Sequence, residues 1–314
     1  MMRKSERAWT VCTAIAILWM VSGWTQTTPL SHEQAAEPTG DSLGVLIMAH
    51  GGGADWNKQV DASIAGLRDR LPVSLAFGMA NPETLQASLD SLRNHGASTV
   101  AVVRLFISGD SFLHQTEFLF GLRSDPPEQA IMGHHLMDGS HLKPLKTDSR
   151  ILLDRQGMMG SSEASRILLA RANENTSSPE DTGVMLIAHG MGSEDDNNRV
   201  LGAMQDAAEA LRSAGYGEVH VAALREDWAE PRAEAERHIR ATVAEMAERR
   251  DHVVVIPYRI SGFGPYGDVL DGLEYVPADG LLPHHLVTEW IASRATANFC
   301  SAGLASPLGS CAMP

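Results

Sequence analysis

Gly44-Val45-Leu46-Ile47-Met48-Ala49-His50-Gly51 returns later in the chain as Gly183-Val184-Met185-Leu186-Ile187-Ala188-His189-Gly190. In each copy an apolar run of strand length stops on a His-Gly pair. A second match follows the first: Val100-Ala101-Val102-Val103-Arg104-Leu105-Phe106-Ile107-Ser108-Gly109 is answered by Val253-Val254-Val255-Ile256-Pro257-Tyr258-Arg259-Ile260-Ser261-Gly262. The repeat distance, about 140 residues, far exceeds the period of solenoid repeats and suits a whole domain. The chain therefore reads as two related lobes, and each lobe serves as a comparison for the other.

Outward from these runs, strands and amphipathic helices alternate. In the first lobe the pattern predicts strands at 43–49, 73–77 and 99–107. Helices are predicted from 54 to 71, with Val60, Ile64 and Leu67 inward, and from Pro82 to Gly96, with Leu85, Leu89 and Leu92 inward. A loop and short helix fill 108–122. The second lobe repeats the order, with strands at 184–188, 218–223 and 252–257 and helices at 197–212 and 231–250. The stretch 142–181 is the least legible; 151–153 and 167–172 read as helical. Near-continuous apolar strands alternating with helices indicate a parallel sheet covered on both faces, whose ligands collect beyond the carboxyl ends of the strands. Both His-Gly pairs and both Ile-Ser-Gly loops sit at that end.

The termini read differently. Arg3, Lys4 and Arg7 precede an apolar run at 8–21 and then Ser22-Gly23, the layout of a secretory signal. The alternative is an uncleaved membrane anchor, for which the run is short of the roughly 20 residues a span requires. The expected organisation is a signal peptide at 1–24, a flexible leader at 25–41, an N-terminal lobe carrying the site at 42–172, a linker at 173–182, a C-terminal lobe at 183–298 and a tail at 299–314. Export to the periplasm would allow Cys300 and Cys311 to bridge and tie down the tail; two free thiols are the alternative. A net charge of −14 with no basic stripe excludes a nucleic-acid partner.

Chemistry-bearing residues concentrate in the first lobe. The first strand delivers His50, the loop after the third delivers His114, and Glu117 shares a helical face with His114. Two imidazoles and a carboxylate at strand ends make a first shell for a divalent transition metal, with the carboxylate as third ligand or proton acceptor. The second lobe keeps His189, but its loop Ser261-Gly262-Phe263-Gly264-Pro265-Tyr266-Gly267-Asp268 has no counterpart of His114. The site is therefore expected in the first lobe, with His189 a relic or a residue facing the cleft from the other side. The pairs His134-His135 and His284-His285 are ambiguous as accessory metal ligands.

The ordered set 46–51, then Ala76-Phe77-Gly78-Met79-Ala80-Asn81-Pro82, then 102–109 up to His114, resembles the class II tetrapyrrole chelatases. It looks most like the two-lobed, single-chain form of the sirohydrochlorin cobaltochelatase and ferrochelatase branch, over 43–294. The resemblance implies an α/β chelatase fold of two tandem flavodoxin-like lobes, each a parallel sheet flanked by helices, facing across a cleft. It implies a lyase-class chelatase that inserts Co2+ or Fe2+ into a tetrapyrrole such as sirohydrochlorin without nucleotide hydrolysis. The metal would be a substrate, with no permanently bound cofactor, and the chain a monomer. By position the implied metal ligands are His50 and His114, with Glu117 or a histidine taking the pyrrole protons. Gly51, Ser108, Phe112 and Arg104 would meet the macrocycle, Arg104 and Arg123 supplying local positive charge; Trp56 and Phe118 are further candidates for packing against it.

Two other readings follow from the same residues. An exported, non-enzymatic carrier or sensor of metal or haem would use the same histidines. A serine hydrolase is suggested by His50-Gly51-Gly52-Gly53 and by Gly109-Asp110-Ser111, but the chain has no Gly-x-Ser-x-Gly elbow.

Overall fold

A computed structural model describes residues 41–132 and 135–311, with the side chains of 131–136 excluded. The signal segment, the leader up to residue 40, and His134 lie outside the described residues. Among those described, no helix is long and apolar enough to cross a membrane.

The first half runs β1 (Leu43–Ala49), α1 (Ala54–Arg68), β2 (Val73–Phe77), α2 (Pro82–Asn94), β3 (Thr99–Leu105) and α3 (Leu113–Leu119). An antiparallel hairpin, β4 (Gln129–Met132) and β5 (His135–Asp138), leads to β6 (Arg150–Leu153) and α4 (Ser162–Asn175). The second half runs β7 (Thr182–Ala188), α5 (Glu194–Ser213), β8 (Glu218–Ala223), α6 (Ala229–Arg249), β9 (His252–Pro257), α7 (Tyr266–Val269), β10 (Val276–Pro277) and α8 (His285–Ser301). Two parallel four-stranded sheets result, β2-β1-β3-β6 and β8-β7-β9-β10, the same order built twice. The expected fold, two α/β lobes with parallel sheets flanked by helices, is the observed one.

Local chemistry explains the boundaries. Asn81 caps α2, its side-chain oxygen accepting from the amide of Glu83 at 2.8 Å, and Pro82 takes the first helical position, where no amide is needed. Ser161 and Ser193 cap α4 and α5 in the same way. Residues 151–153, expected as helix, lie in β6, which pairs with β3 from Thr99↔Arg150 to Val102↔Leu153. A three-residue apolar run is too short for periodicity to separate helix from strand, and pairing to a sheet edge decides it.

Alternation along the strands sorts the core. Val45, Ile47 and Ala49 face one way, as do Val184, Leu186 and Ala188, and all join a single core between the sheets. Leu46 and Met48 face outward onto α2 and α3, while Met185 and Ile187 face α6 and α7. Two helices cross over. Helix α4 leaves the first sheet to pack on β9 and α5, and α8 leaves the second to pack on β3, β6 and α1. Each crossing is pinned by a buried polar anchor. On α4, Arg171 donates to the carbonyls of Gly280 at 2.9 Å and Pro283 at 2.7 Å. On α8, Arg294 makes a two-pronged pair with buried Asp154, at 2.6 and 3.0 Å.

Candidate active site in the interlobe cleft

The carboxyl ends of both sheets open onto one cavity of about 550 Å3. Its walls come from the segments that follow β1, β2, β3 and β6 on one side and β7, β8 and β9 on the other. A larger depression, about 890 Å3, lies between α1, α8 and the tail, but mostly small residues line it and no strand end reaches it. Chemistry favours the cleft, where loops at strand ends gather side chains from the whole chain.

Each lobe delivers its histidine through the same turn. Gly51 and Gly190 both take φ +82°, a left-handed conformation that glycine adopts without strain. A Cβ at 51 would stand 3.2 Å from the Phe77 Cβ, and one at 190 would stand 2.9 Å from the Ala223 Cβ. The His50 carbonyl accepts from the amide of Gly78 at 3.1 Å, and the His189 carbonyl from the amide of Arg225 at 2.6 Å, tying both histidines to the neighbouring strand. In both, Nδ1 lies against the next glycine's carbonyl, at 2.7 Å for His50 and 3.0 Å for His189. A carbonyl only accepts, so the proton sits on Nδ1 and a neutral ring presents its lone pair at Nε2.

The two rings then differ. The His189 Nε2 lies 3.2 Å from Asp227 Oδ2, and the ring meets Trp228 edge-on. With acceptors at both nitrogens, His189 and Asp227 form a pair that is complete when a proton lies between them. Among the described residues no carboxylate is paired with His50. The cleft thus holds one imidazole available to a metal and one coupled to a proton acceptor.

Of the residues expected at the site, His50, Gly51, Ser108 and Phe112 line this cavity, and Trp56 joins them. Phe112 is held at φ +54°, sparse for an aromatic residue, with its ring 5.4 Å from that of Phe106. Three further residues expected at the site are placed as follows. Arg104 presents no charge to a ligand: it is wholly buried, and its guanidinium donates to the carbonyls of Gly109, at 2.7 Å, and Ser111, holding the loop from beneath. The Glu117 carboxylate is engaged by Arg155 at 2.8 Å. His114 is exposed on α3 and is not among the cavity's lining residues. Among the described residues no three His, Cys, Asp or Glu side chains gather into a metal-holding cluster, so His50, His114 and Glu117 do not form a three-donor set. Phe118 belongs to the outer core and Arg123 to the surface.

Asp227 and Arg259, which sequence reasoning passed over, line the cavity with His189. Arg259 had a signal: it sits in the repeated stretch ending Ile-Ser-Gly. Asp227 had none, because the β8–α6 loop is longer than its first-lobe counterpart. Much of the remaining wall is apolar, including Met79, Phe106, Met159 and Met191. The cleft thus combines apolar side chains with two imidazoles, and its charged groups, Asp227 and Arg259, come from the second lobe.

No protein-family model matches the chain, and no curated protein matches it significantly. Solved structures do. SirB from Bacillus subtilis with Fe3+ superposes with a TM-score of 0.56 at 14% identity, covering 84% of this chain and 99% of that one. The sirohydrochlorin chelatase SirB from Bacillus subtilis subspecies spizizenii, in complex with cobalt, gives 0.55 at 13% identity over 82% and 95%. A multi-domain Deinococcus radiodurans protein, described as similar to chelatases with two additional domains, gives 0.50 at 16% identity; 82% of this chain matches 55% of its length. At these identities the likeness speaks for architecture: the chain has the two-lobed chelatase fold.

Proposed function

We propose that this protein inserts a divalent metal, Co2+ or Fe2+, into a tetrapyrrole of the sirohydrochlorin type, without nucleotide hydrolysis. The observation that carries the reading is the pair of histidines, one from each sheet, lining one apolar cavity at the strand ends. The macrocycle lies in the cleft against Trp56, Phe106 and Phe112. His50, its Nε2 lone pair free, holds the incoming ion over one face of the ring. As pyrrole nitrogens displace the imidazole, two N–H protons leave in turn, and the His189–Asp227 pair accepts each and passes it to water through the exposed Asp227 carboxylate. A neutral imidazole binds such an ion reversibly, which suits a metal that must be passed on. The Cys300–Cys311 bridge supports the proposal that this chemistry takes place after export, in an oxidising compartment.

The test is optical. Full-length protein is mixed with excess sirohydrochlorin and Co2+, without nucleotide, and the metallated spectrum is followed. Metallation of many equivalents per protein is expected; a plateau at one equivalent would identify a carrier instead. His50→Ala and His189→Ala should each lower the rate about a hundredfold, the scale of losing a metal-positioning or proton-accepting group. His114→Ala should stay within about twofold, since the cavity does not include it. The reverse pattern, with His114 essential and His189 dispensable, would return the site to the first lobe alone.

A further inference from the structure

The cleft's two walls are built on the same plan but carry different chemistry. In the sheet register Met48 stands beside Arg104 and Ile187 beside Pro257, so Arg104 and Pro257 are equivalent, and two residues on Phe106 is equivalent to Arg259. An aromatic ring thus occupies one wall where a guanidinium occupies the other. Arg259 is the one Lys or Arg lining the cavity among the described residues.

Its guanidinium is fixed from several sides. Nη1 lies 2.5 Å from Glu226 Oε1, and the same oxygen accepts from the Tyr266 hydroxyl at 3.2 Å. The Arg259 Cζ lies 5.8 Å from the centre of the Tyr266 ring, which is fully buried. Gly264, at φ +66°, makes the space: a Cβ there would stand 3.0 Å from Cζ, Nε and Nη1. A guanidinium has five N–H donors, and Glu226 takes one nitrogen. Among the described residues Glu226 is the one carboxylate paired with it, and the Tyr266 hydroxyl is its other side-chain neighbour. The side chain is 30% exposed, against 13% for Glu226, so the cation reaches the cavity while its counter-ion sits behind it. An arginine needed only to neutralise Glu226 would not require a glycine cut-out or a place on the cavity wall.

We infer that Arg259 binds a carboxylate of the flat ligand in the cleft and so sets how the ring is turned relative to His50, with Phe106 stacking from the opposite wall. This rests on the reading of the cleft as a macrocycle site and adds the anionic group that the second lobe recognises. A planar guanidinium edge receives a carboxylate through two parallel bonds, an orientation that a lysine ammonium does not impose.

The experiment is a fluorescence titration of the full chain with two metal-free probes. One is uroporphyrin, whose ring carries eight carboxylates; the other is a water-soluble porphyrin whose side chains end in neutral glycol groups. Arg259→Gln should weaken uroporphyrin at least tenfold and leave the neutral ring within twofold. Arg259→Lys should fall between. Glu226→Gln should tighten uroporphyrin about threefold, because the guanidinium loses its competing carboxylate; a purely structural pair would give weakening or no change. Uroporphyrin binding unmoved by Arg259→Gln, or weakened by Glu226→Gln, overturns the inference and leaves the chelatase reading standing. Should Arg259→Gln fail to fold, or lose both probes equally, Glu226→Gln decides by the sign of its effect. Wild-type protein that binds neither probe overturns both.

Discussion

At the scale of single residues, the two lobes show which features of the repeat belong to shape and which to chemistry. The paired glycines at 51 and 190 serve shape: both take the same left-handed turn, and both back onto the neighbouring strand. Arg104 also serves shape, though its charge suggests otherwise. Burial pulls its basicity down to about 10, and nearby Asp154 opposes the shift, so the group stays charged at neutral pH. Its Nε is buried with no partner among the described residues, and its other nitrogens hold the 109–111 loop. Removing it leaves two part-buried carbonyls without this donor, at about 1–3 kcal/mol each. Arg104→Met should therefore lower stability by about 2–4 kcal/mol in urea unfolding. The same variant should not selectively weaken anionic ligands, which separates it from Arg259→Gln.

At the scale of elements, the crossing helices depend on their ends. Helix α8 begins at His284, whose side chain accepts from the Leu286 amide at 3.2 Å, and whose ring stacks on His285 at 4.5 Å. Burial lowers the His284 pKa below its usual 6.5, and His285 and Arg171 lower it further against the opposing pull of Glu174. The unfolded chain therefore binds the proton more readily than the folded one. The stabilisation is complete above about pH 6.5 and is lost as pH falls through the lowered folded value. Protonation at Nδ1 also removes the cap's acceptor. Melting temperature should drop on acidification below about pH 6.5, and His284→Asn, which keeps a capping oxygen but does not titrate, should flatten that part of the profile. An unchanged profile in the variant would show that other groups carry the acid sensitivity.

At the scale of the whole molecule, the exchange of α4 and α8 joins the lobes through one shared core, so that relative movement of the sheets must disturb packed side chains. The tail completes this arrangement. Cys300 and Cys311 are bridged, Leu308 is buried, and Arg70 on the α1–β2 connection donates to the Pro307 carbonyl. Closing so short a loop restricts the unfolded chain by about 3 kcal/mol at most. Cys300→Ser, or reduction of the wild type, should lower unfolding free energy by about 1–3 kcal/mol. Turnover should change little, because no described residue of the tail lines the cleft.

Much of this architecture is written locally. Alternation in 45–49 and 184–188 assigns alternate residues to opposite faces of each sheet. The repeated His-Gly pairs announce two equivalent strand ends, and Asn81-Pro82 announces a helix start. These features depend on neighbours within a turn or a pleat, so the amino-acid order alone determined two tandem α/β lobes with histidines at their rims. Other features depend on surfaces distant in the chain. The sequence does not encode, in any local period, that α4 and α8 trade sheets. Nor does it encode that His189 shares one cavity with His50 while His114 stays outside, or that Arg104 is buried and Arg259 reaches the cleft. Those outcomes follow from which apolar faces bury each other, and only the tertiary structure decided them.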